Sequence, residues 1–326
     1  MQAVVFYNYG SPDILKLEEV AKPTPKDDEV LVKVHSASAN PLDWHIMRGS
    51  PFLARLEFGL RKPGINRLGA DVAGRVEAVG KNVKDFKPGD EVFGDTFDSG
   101  LGSFAEYVCV PEKNLVLKPA HISFEAAAAV PIAAITALQG LRRGQIKPGQ
   151  KVLINGASGG VGHFGVQLAK AFDTEVTAVC SGRNSEMVRS IGADHVLDYT
   201  KEDFTRTGQQ YDLIFDAVGN RSVSDLKRAL TPNGIAVIAG FTSLRNLFQH
   251  MIVGALVSRI GTRKIGMMDT AKTTKEDLLF LSDLLATGKI VPVIDRCYPL
   301  KETAEAIRYL ETSRARGKVM IGVGQE

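Results

Sequence analysis

The sequence predicts an α/β protein in which a doubly wound parallel sheet is joined to a β-rich part. Three observations carry this. Residues 151–170, KVLINGASGGVGHFGVQLAK, set a short apolar run, a glycine-rich turn and an amphipathic helix in direct succession. After them, apolar runs alternate with helical segments as far as about residue 263, the signature of parallel strands joined by helices. Before residue 119 the chain instead shows short apolar or alternating runs broken by Gly and Pro, a texture of strands and turns.

Taken in order, AVVF, EVLVKVHSA, DVAGRVEAVG, DEVFGD and AEYVCVP are the expected strands of the first part. Lys87-Pro88-Gly89-Asp90 is a turn by composition. The segment from Arg48 to Arg67 reads as a long loop, and long loops in compact domains often carry function. Ser123 caps the alanine-rich helical run that comes after it, which Pro131 must kink or restart. Strands VLIN, VTAVC, HVLDY, YDLIFD and IAVIAG then alternate with helices, and their carboxyl ends are where such sheets bind ligands. Beyond Arg263 come a strand RKIGMM, a helix over 275–287, DRCYPL, a helix near 302–310 and a final strand KVMIGV. These last pieces are expected to return to the first part. The boundaries expected are 1–121 with 264–326 for one domain and 122–263 for the other.

Length and charge bound the partners. At 326 residues with 44% hydrophobic content, two cores are the default. A net charge of +3, with forty basic side chains interspersed among thirty-seven acidic ones, disfavours nucleic acid and membrane surfaces. The apolar segment 244–260 is too short and too interrupted to span a bilayer. Three widely spaced cysteines, Cys109, Cys180 and Cys297, fit free thiols in a reducing compartment, so a cytoplasmic location is expected.

The glycine turn places helix N–H groups beside bare backbone, which suits a pyrophosphate. Ser158, Gly159, Gly160 and Val161 are therefore expected to hold a dinucleotide. The next strand ends at Cys180, and no carboxylate comes after it where an acid would bind the adenosine ribose. Ser181, Arg183 and Asn184 offer donors and positive charge instead, so NADPH is expected over NADH. Two further strand ends, with Val218 in one and Gly240, Phe241 and Thr242 in the other, are expected along the same crevice.

Asn40-Pro41-Leu42-Asp43-Trp44, GADVAG at 69–74, GDEVFG at 89–94, AEYV at 105–108, Thr136-Ala137-Leu138, the GASGGVG loop, Gly192-Ala193-Asp194 and Asp198-Tyr199 together resemble the zinc-independent quinone oxidoreductase branch of the medium-chain dehydrogenase/reductase superfamily. The resemblance spans nearly the whole chain. It implies a GroES-like N-terminal domain, a Rossmann domain, and a C-terminus that returns to the first. It also implies that Tyr199 helps hold a 2′-phosphate and that Asn40 and the helix bearing Thr136 lie near the nicotinamide.

The zinc branch carries a histidine where this chain has Ala70 and a catalytic cysteine near the NPLDW segment, so no metal is expected. A site without a Lewis acid suits acceptors that spread charge over a conjugated system, namely quinones and α,β-unsaturated carbonyls. Asn40 or a backbone N–H is expected to polarise the carbonyl, and Asp43 is a second candidate in the role of acid. The loop 47–67 and the stretch 241–260 are expected to bound a site for a bulky apolar substrate. Core packing is expected for most apolar positions of that stretch. A homodimer paired through the RKIGMM strand is a further expectation. Two alternatives stand beside the reductase: a zinc-free alcohol dehydrogenase or ketone reductase, and a non-catalytic NADPH-binding sensor.

Overall fold

The computed structural model describes residues 1–52 and 55–324, the side chains of residues 57 and 244 excepted. Its strands in chain order are β1 Gln2–Val5, β2 Lys16–Glu19, β3 Glu29–Ala39, β4 Asp71–Val79, β5 Glu91–Asp95, β6 Tyr107–Pro111, β7 Leu115–Leu117, β8 Lys151–Asn155, β9 Glu175–Cys180, β10 His195–Asp198, β11 Tyr211–Asp216, β12 Leu230–Ile238, β13 Lys264–Met267, β14 Ile294–Pro299 and β15 Lys318–Gly322. They divide between two compact units, one of Met1–Ala133, Thr273–Gly288 and Pro292–Glu326, the other of Ala134–Lys272 and Lys289–Val291.

In the first unit, strands run in the order β14-β15-β3-β4-β5-β7, with β6 also on β3. β3 is the organiser because eleven residues let it pair with β15, β4 and β6 at different points along its length. Its alternation sends Val30, Val32 and Val34 into a core shared with Phe6, Val72, Val92, Phe104 and Ile321. Chain reversal after β3 falls at Asn40, where Pro41 occupies the first helical position of Pro41–Arg48 and supplies a φ already suited to a helix. Ser123 caps the helix Phe124–Ala128 by accepting the Ala126 N–H at 3.1 Å, and Pro131 starts a new helix, Pro131–Arg143.

The second unit is a six-stranded parallel sheet ordered β10-β9-β8-β11-β12-β13. The order reverses between β8 and β11, so a crevice opens at their carboxyl ends. Buried Leu153, Ile214, Leu226, Ala236 and Ile265 pack one of its cores.

Two expectations change here. The unit boundaries fall at 133/134 and 272/273 instead of 121/122 and 263/264, the second because β13 pairs in parallel with β12 and so belongs to the dinucleotide sheet. The stretch after β12 folds as the helical segments Leu244–Gln249, His250–Gly254 and Ala255–Ile260, but most of its apolar residues are not core. Phe248, Met251, Ile252, Leu256 and Ile260 are exposed, Ile252 at 67%, while Val257 packs against the core. In the loop 47–67 a short helix, Arg55–Phe58, is present, and Leu53 and Ala54 lie outside the described residues.

Candidate active site

The dinucleotide edge is built from the turns at the carboxyl ends of the strands. β8 ends at Asn155, and Gly156 takes φ +82°, a left-handed conformation open to glycine, with its N–H on the Val179 carbonyl at 3.1 Å. Gly162 begins the helix Gly162–Ala171 so close to the turn that a Cβ would lie 2.1 Å from the Gly156 oxygen. Ser158, Gly159, Gly160 and Val161 lie between these two constraints. The result is a strip of backbone nearly bare of side chains, beside helix N–H groups that have no acceptor within their own helix.

β9 delivers the next group. Ser181, Gly182 and Arg183 turn directly after Cys180, and Asn184 is buried with its Nδ2 donating to the Ser158 hydroxyl at 2.9 Å. Its Oδ1 is buried with no partner among the described residues. Arg183 is exposed and, among the described residues, has no acidic partner. Tyr199, just past β10, is 56% exposed. Neighbouring Asp198 accepts from the Thr200 N–H and hydroxyl, and these bonds lower its pKa.

Asp216 at the end of β11 gave no signal beyond an acid before a small-residue turn. It stands opposite Asn155 in register, and its Oδ1 accepts from Asn155 Nδ2 at 2.8 Å and from the N–H groups of Val218 and Gly219 at 2.9 Å. Burial raises its pKa above the usual carboxylate value. It thereby shapes the turn holding Val218. After β12, the Thr242 hydroxyl receives Asn246 Nδ2 at 3.1 Å, and Gly240 and Phe241 lie between that residue and the strand. Residues expected to touch the dinucleotide thus lie just past β8, β9, β10, β11 and β12 at one edge of one sheet. Thr136 is separate in sequence, on the helix Pro131–Arg143.

The first unit holds a buried polar cluster. Asp43, fully buried, accepts the Asn40 N–H at 2.7 Å on one oxygen and the Gly69 N–H at 2.8 Å on the other. Burial pushes its carboxyl up to about 7, the Asn40 and Gly69 N–H groups pull it down, and Asp71 raises it further. That pKa would serve an acid catalyst, yet both oxygens hold backbone and the side chain has no exposed surface. The geometry assigns Asp43 to the turn.

Asn40 is equally committed. Its Nδ2 donates to the Ser38 carbonyl at 3.2 Å and to Asp71 Oδ2 at 2.8 Å, and its Oδ1 accepts from Lys318 Nζ at 2.7 Å. Both amide hydrogens are used inside the protein, so donation from this side chain to a substrate carbonyl does not fit, and of the two donors expected the backbone N–H is left. Asp71 and Lys318 were not singled out by the sequence for this cluster, because their meeting depends on how β4 and β15 flank β3.

The same saturation bears on a metal. Ala70 is buried and apolar, the oxygens of Asp43 and Asp71 are taken by N–H, O–H and ammonium donors, and His45 Nδ1 lies 2.6 Å from the Ser50 carbonyl. Among the described residues no three His, Cys, Asp or Glu side chains converge as a metal would require. These residues do not fit a zinc ion.

A parallel sheet of this strand order, with a glycine-rich turn after its first strand, defines a dinucleotide-binding domain, here joined to a β-rich unit that carries a buried polar cluster. Models of an alcohol dehydrogenase GroES-like domain and of a zinc-binding dehydrogenase match residues 26–120 and 191–321. The chain is 37% identical to a 2-methylene-furan-3-one reductase of Solanum lycopersicum and 36% identical to a chloroplastic NADPH-dependent alkenal/one oxidoreductase of Arabidopsis thaliana. Each match covers 98% of this chain and 79% of the relative. Among solved structures, a quinone oxidoreductase from Coxiella burnetii superposes with a TM-score of 0.85 at 32% identity over 99% of both chains. The chain belongs to the quinone oxidoreductase-like branch of the medium-chain dehydrogenase/reductase superfamily.

Proposed function

We propose that this protein is an NADPH-dependent reductase that adds hydride to a quinone or an α,β-unsaturated carbonyl without a metal ion. The observation that carries the reading is the pairing of a glycine-rich dinucleotide edge with a catalytic unit whose carboxylates are saturated by protein donors. The names of the similar proteins, an alkenal/one oxidoreductase and a furanone reductase, support the same acceptor class.

Ser158 through Val161 would hold the pyrophosphate, while Ser181, Arg183, Asn184 and Tyr199 would hold the adenosine 2′-phosphate. The exposed Arg183 guanidinium is the feature that fits such a group, while the Asn184 Nδ2 donates to the Ser158 hydroxyl and braces the turn beside it. Val218, Gly240, Phe241, Thr242 and Thr136 would border the nicotinamide half. When bound, NADPH supplies the hydride. The protein's share is to orient the acceptor, to polarise its carbonyl through a backbone N–H, and to keep the surrounding backbone fixed through Asn40 and Asp43. Water supplies the proton. The exposed apolar side chains of Phe52 and Leu56 support an apolar substrate.

Three features support narrower proposals. Edge strand β13 beside the exposed apolar face of 248–260 supports a homodimer, which a single-chain mass in sedimentation at micromolar concentration would rule out. The three free cysteines support a reducing, cytoplasmic location, to be checked by fractionation. Among the described residues no helix is long and apolar enough to cross a membrane.

Oxidation of NADPH measured with a panel of quinones, enones, simple ketones and alcohols tests the activity. Turnover confined to quinones and enones is expected. Preference for simple ketones or alcohols would instead mark a zinc-free alcohol dehydrogenase or ketone reductase, and NADPH binding without turnover would mark a sensor.

A further inference from the structure

Three side chains from distant parts of the chain meet inside the first unit. Asn40 comes directly after β3, Asp71 opens β4 and Lys318 opens β15. Lys318 Nζ donates to Asn40 Oδ1 at 2.7 Å and to Asp71 Oδ2 at 3.1 Å. Asp71 Oδ2 also receives Asn40 Nδ2 and the Ser38 hydroxyl. Its other oxygen receives the Ile132 N–H at 2.8 Å, in the first turn of the helix Pro131–Arg143. The Lys318 and Asp71 side chains are 2% and 0% exposed.

A buried ion pair is seldom worth more to stability than apolar residues of the same volume. What this pair provides is direction. An ammonium only donates and a carboxylate only accepts, so the Asn40 amide fits one way round, oxygen toward Lys318 and nitrogen toward Asp71.

We propose that Asp71 and Lys318 are positioning residues for the reductase reaction, a buried charge pair that orients Asn40 and fixes both the backbone leaving β3 and the start of the helix Pro131–Arg143. The assignment rests on the protein being a reductase. At their burial neither residue meets substrate, so each acts through Asn40 and the backbone it holds.

A mutant cycle tests this. Asn40→Ala is compared with the pair Asp71→Asn/Lys318→Met, which removes both charges together and leaves no buried charge unpaired, and with all three substitutions combined. Asn40→Ala and the pair should each lower kcat for an enone about ten- to a hundredfold. The KM for NADPH should stay within about twofold, and the combined variant should be no slower than the slower parent. Lys318→Arg, which keeps the buried cation, should retain more of the wild-type rate than the paired variant.

Multiplying effects, a wild-type kcat in the paired variant, or failure of that variant to fold would overturn the proposal, the last by assigning the pair to stability. Hydrogen exchange of the Asn40 side-chain NH2 gives a readout apart from turnover. Slow exchange in the wild type and fast exchange in the paired variant is expected, and equal exchange overturns the positioning. If the wild type turns over no acceptor at all, the reductase reading fails, while exchange still decides whether the pair orients Asn40.

Discussion

Arg183 lies just past β9, in the turn Gly182–Asn184, with its guanidinium exposed. A hydrogen bond to a charged group contributes roughly 1.5–3 kcal/mol, so Arg183→Ala should raise the KM for NADPH about tenfold or more while leaving that for NADH nearly unchanged. Equal changes for both cofactors would remove Arg183 from the 2′-phosphate. The placement of this residue was legible in the sequence because it depends on local order, a strand end trailed within a few positions by donors. The fate of the Asn40 side chain was not legible. Its acceptor Asp71 and its donor Lys318 lie 31 and 278 positions away, and no spacing rule relates them.

At the level of single elements, the turn between β8 and its helix carries a severe steric constraint at the dinucleotide edge. Gly162→Ala should cost about 1–3 kcal/mol of stability, since the new methyl must push the Gly156 carbonyl aside, and should weaken dinucleotide binding with it. Gly266→Ala is the control. It lies on β13 with open space around it and should change stability by less than about 0.5 kcal/mol. Thermal melts with and without NADPH would separate the two effects, and a Gly162→Ala protein as stable as the control would refute the steric argument. The strands and helices of the second unit were readable because runs such as VLIN and YDLIFD carry period and punctuation together. The stretch 244–260 misled for the opposite reason. Its apolar residues lie on several sides of the helical segments, and a helix of that kind reads as buried whether or not one chain can cover it.

For the molecule as a whole, buried acids raised by their burial, Asp43, Asp95 and Asp216, contribute to the response to pH. Burial pushes Asp95 up to about 7, as it does Asp43, while the Thr273 hydroxyl and Phe97 N–H lower Asp95 and the nearby charges of Asp71 and Asp98 raise it. Unfolding returns each carboxyl toward its ordinary value near 4. Between those limits the folded state binds more protons, so stability should fall as pH rises from about 4 to 7 and level off above. Asp95→Asn should flatten this slope, because its amide can still accept the Phe97 N–H and donate to Thr273. Urea melts at pH 5.5 and 8 measure it, and an unchanged slope in the variant would clear Asp95 of the effect.

Lys318 lies 247 residues beyond Asp71, with the dinucleotide sheet encoded between them. On the ribosome, the second unit can therefore close on itself while Asp71 still awaits its cation. The first unit becomes electrically complete only when β15 emerges. Until then a carboxylate destined for the interior has reason to stay in water, and the polar cluster can be completed only after nearly the whole chain has been made.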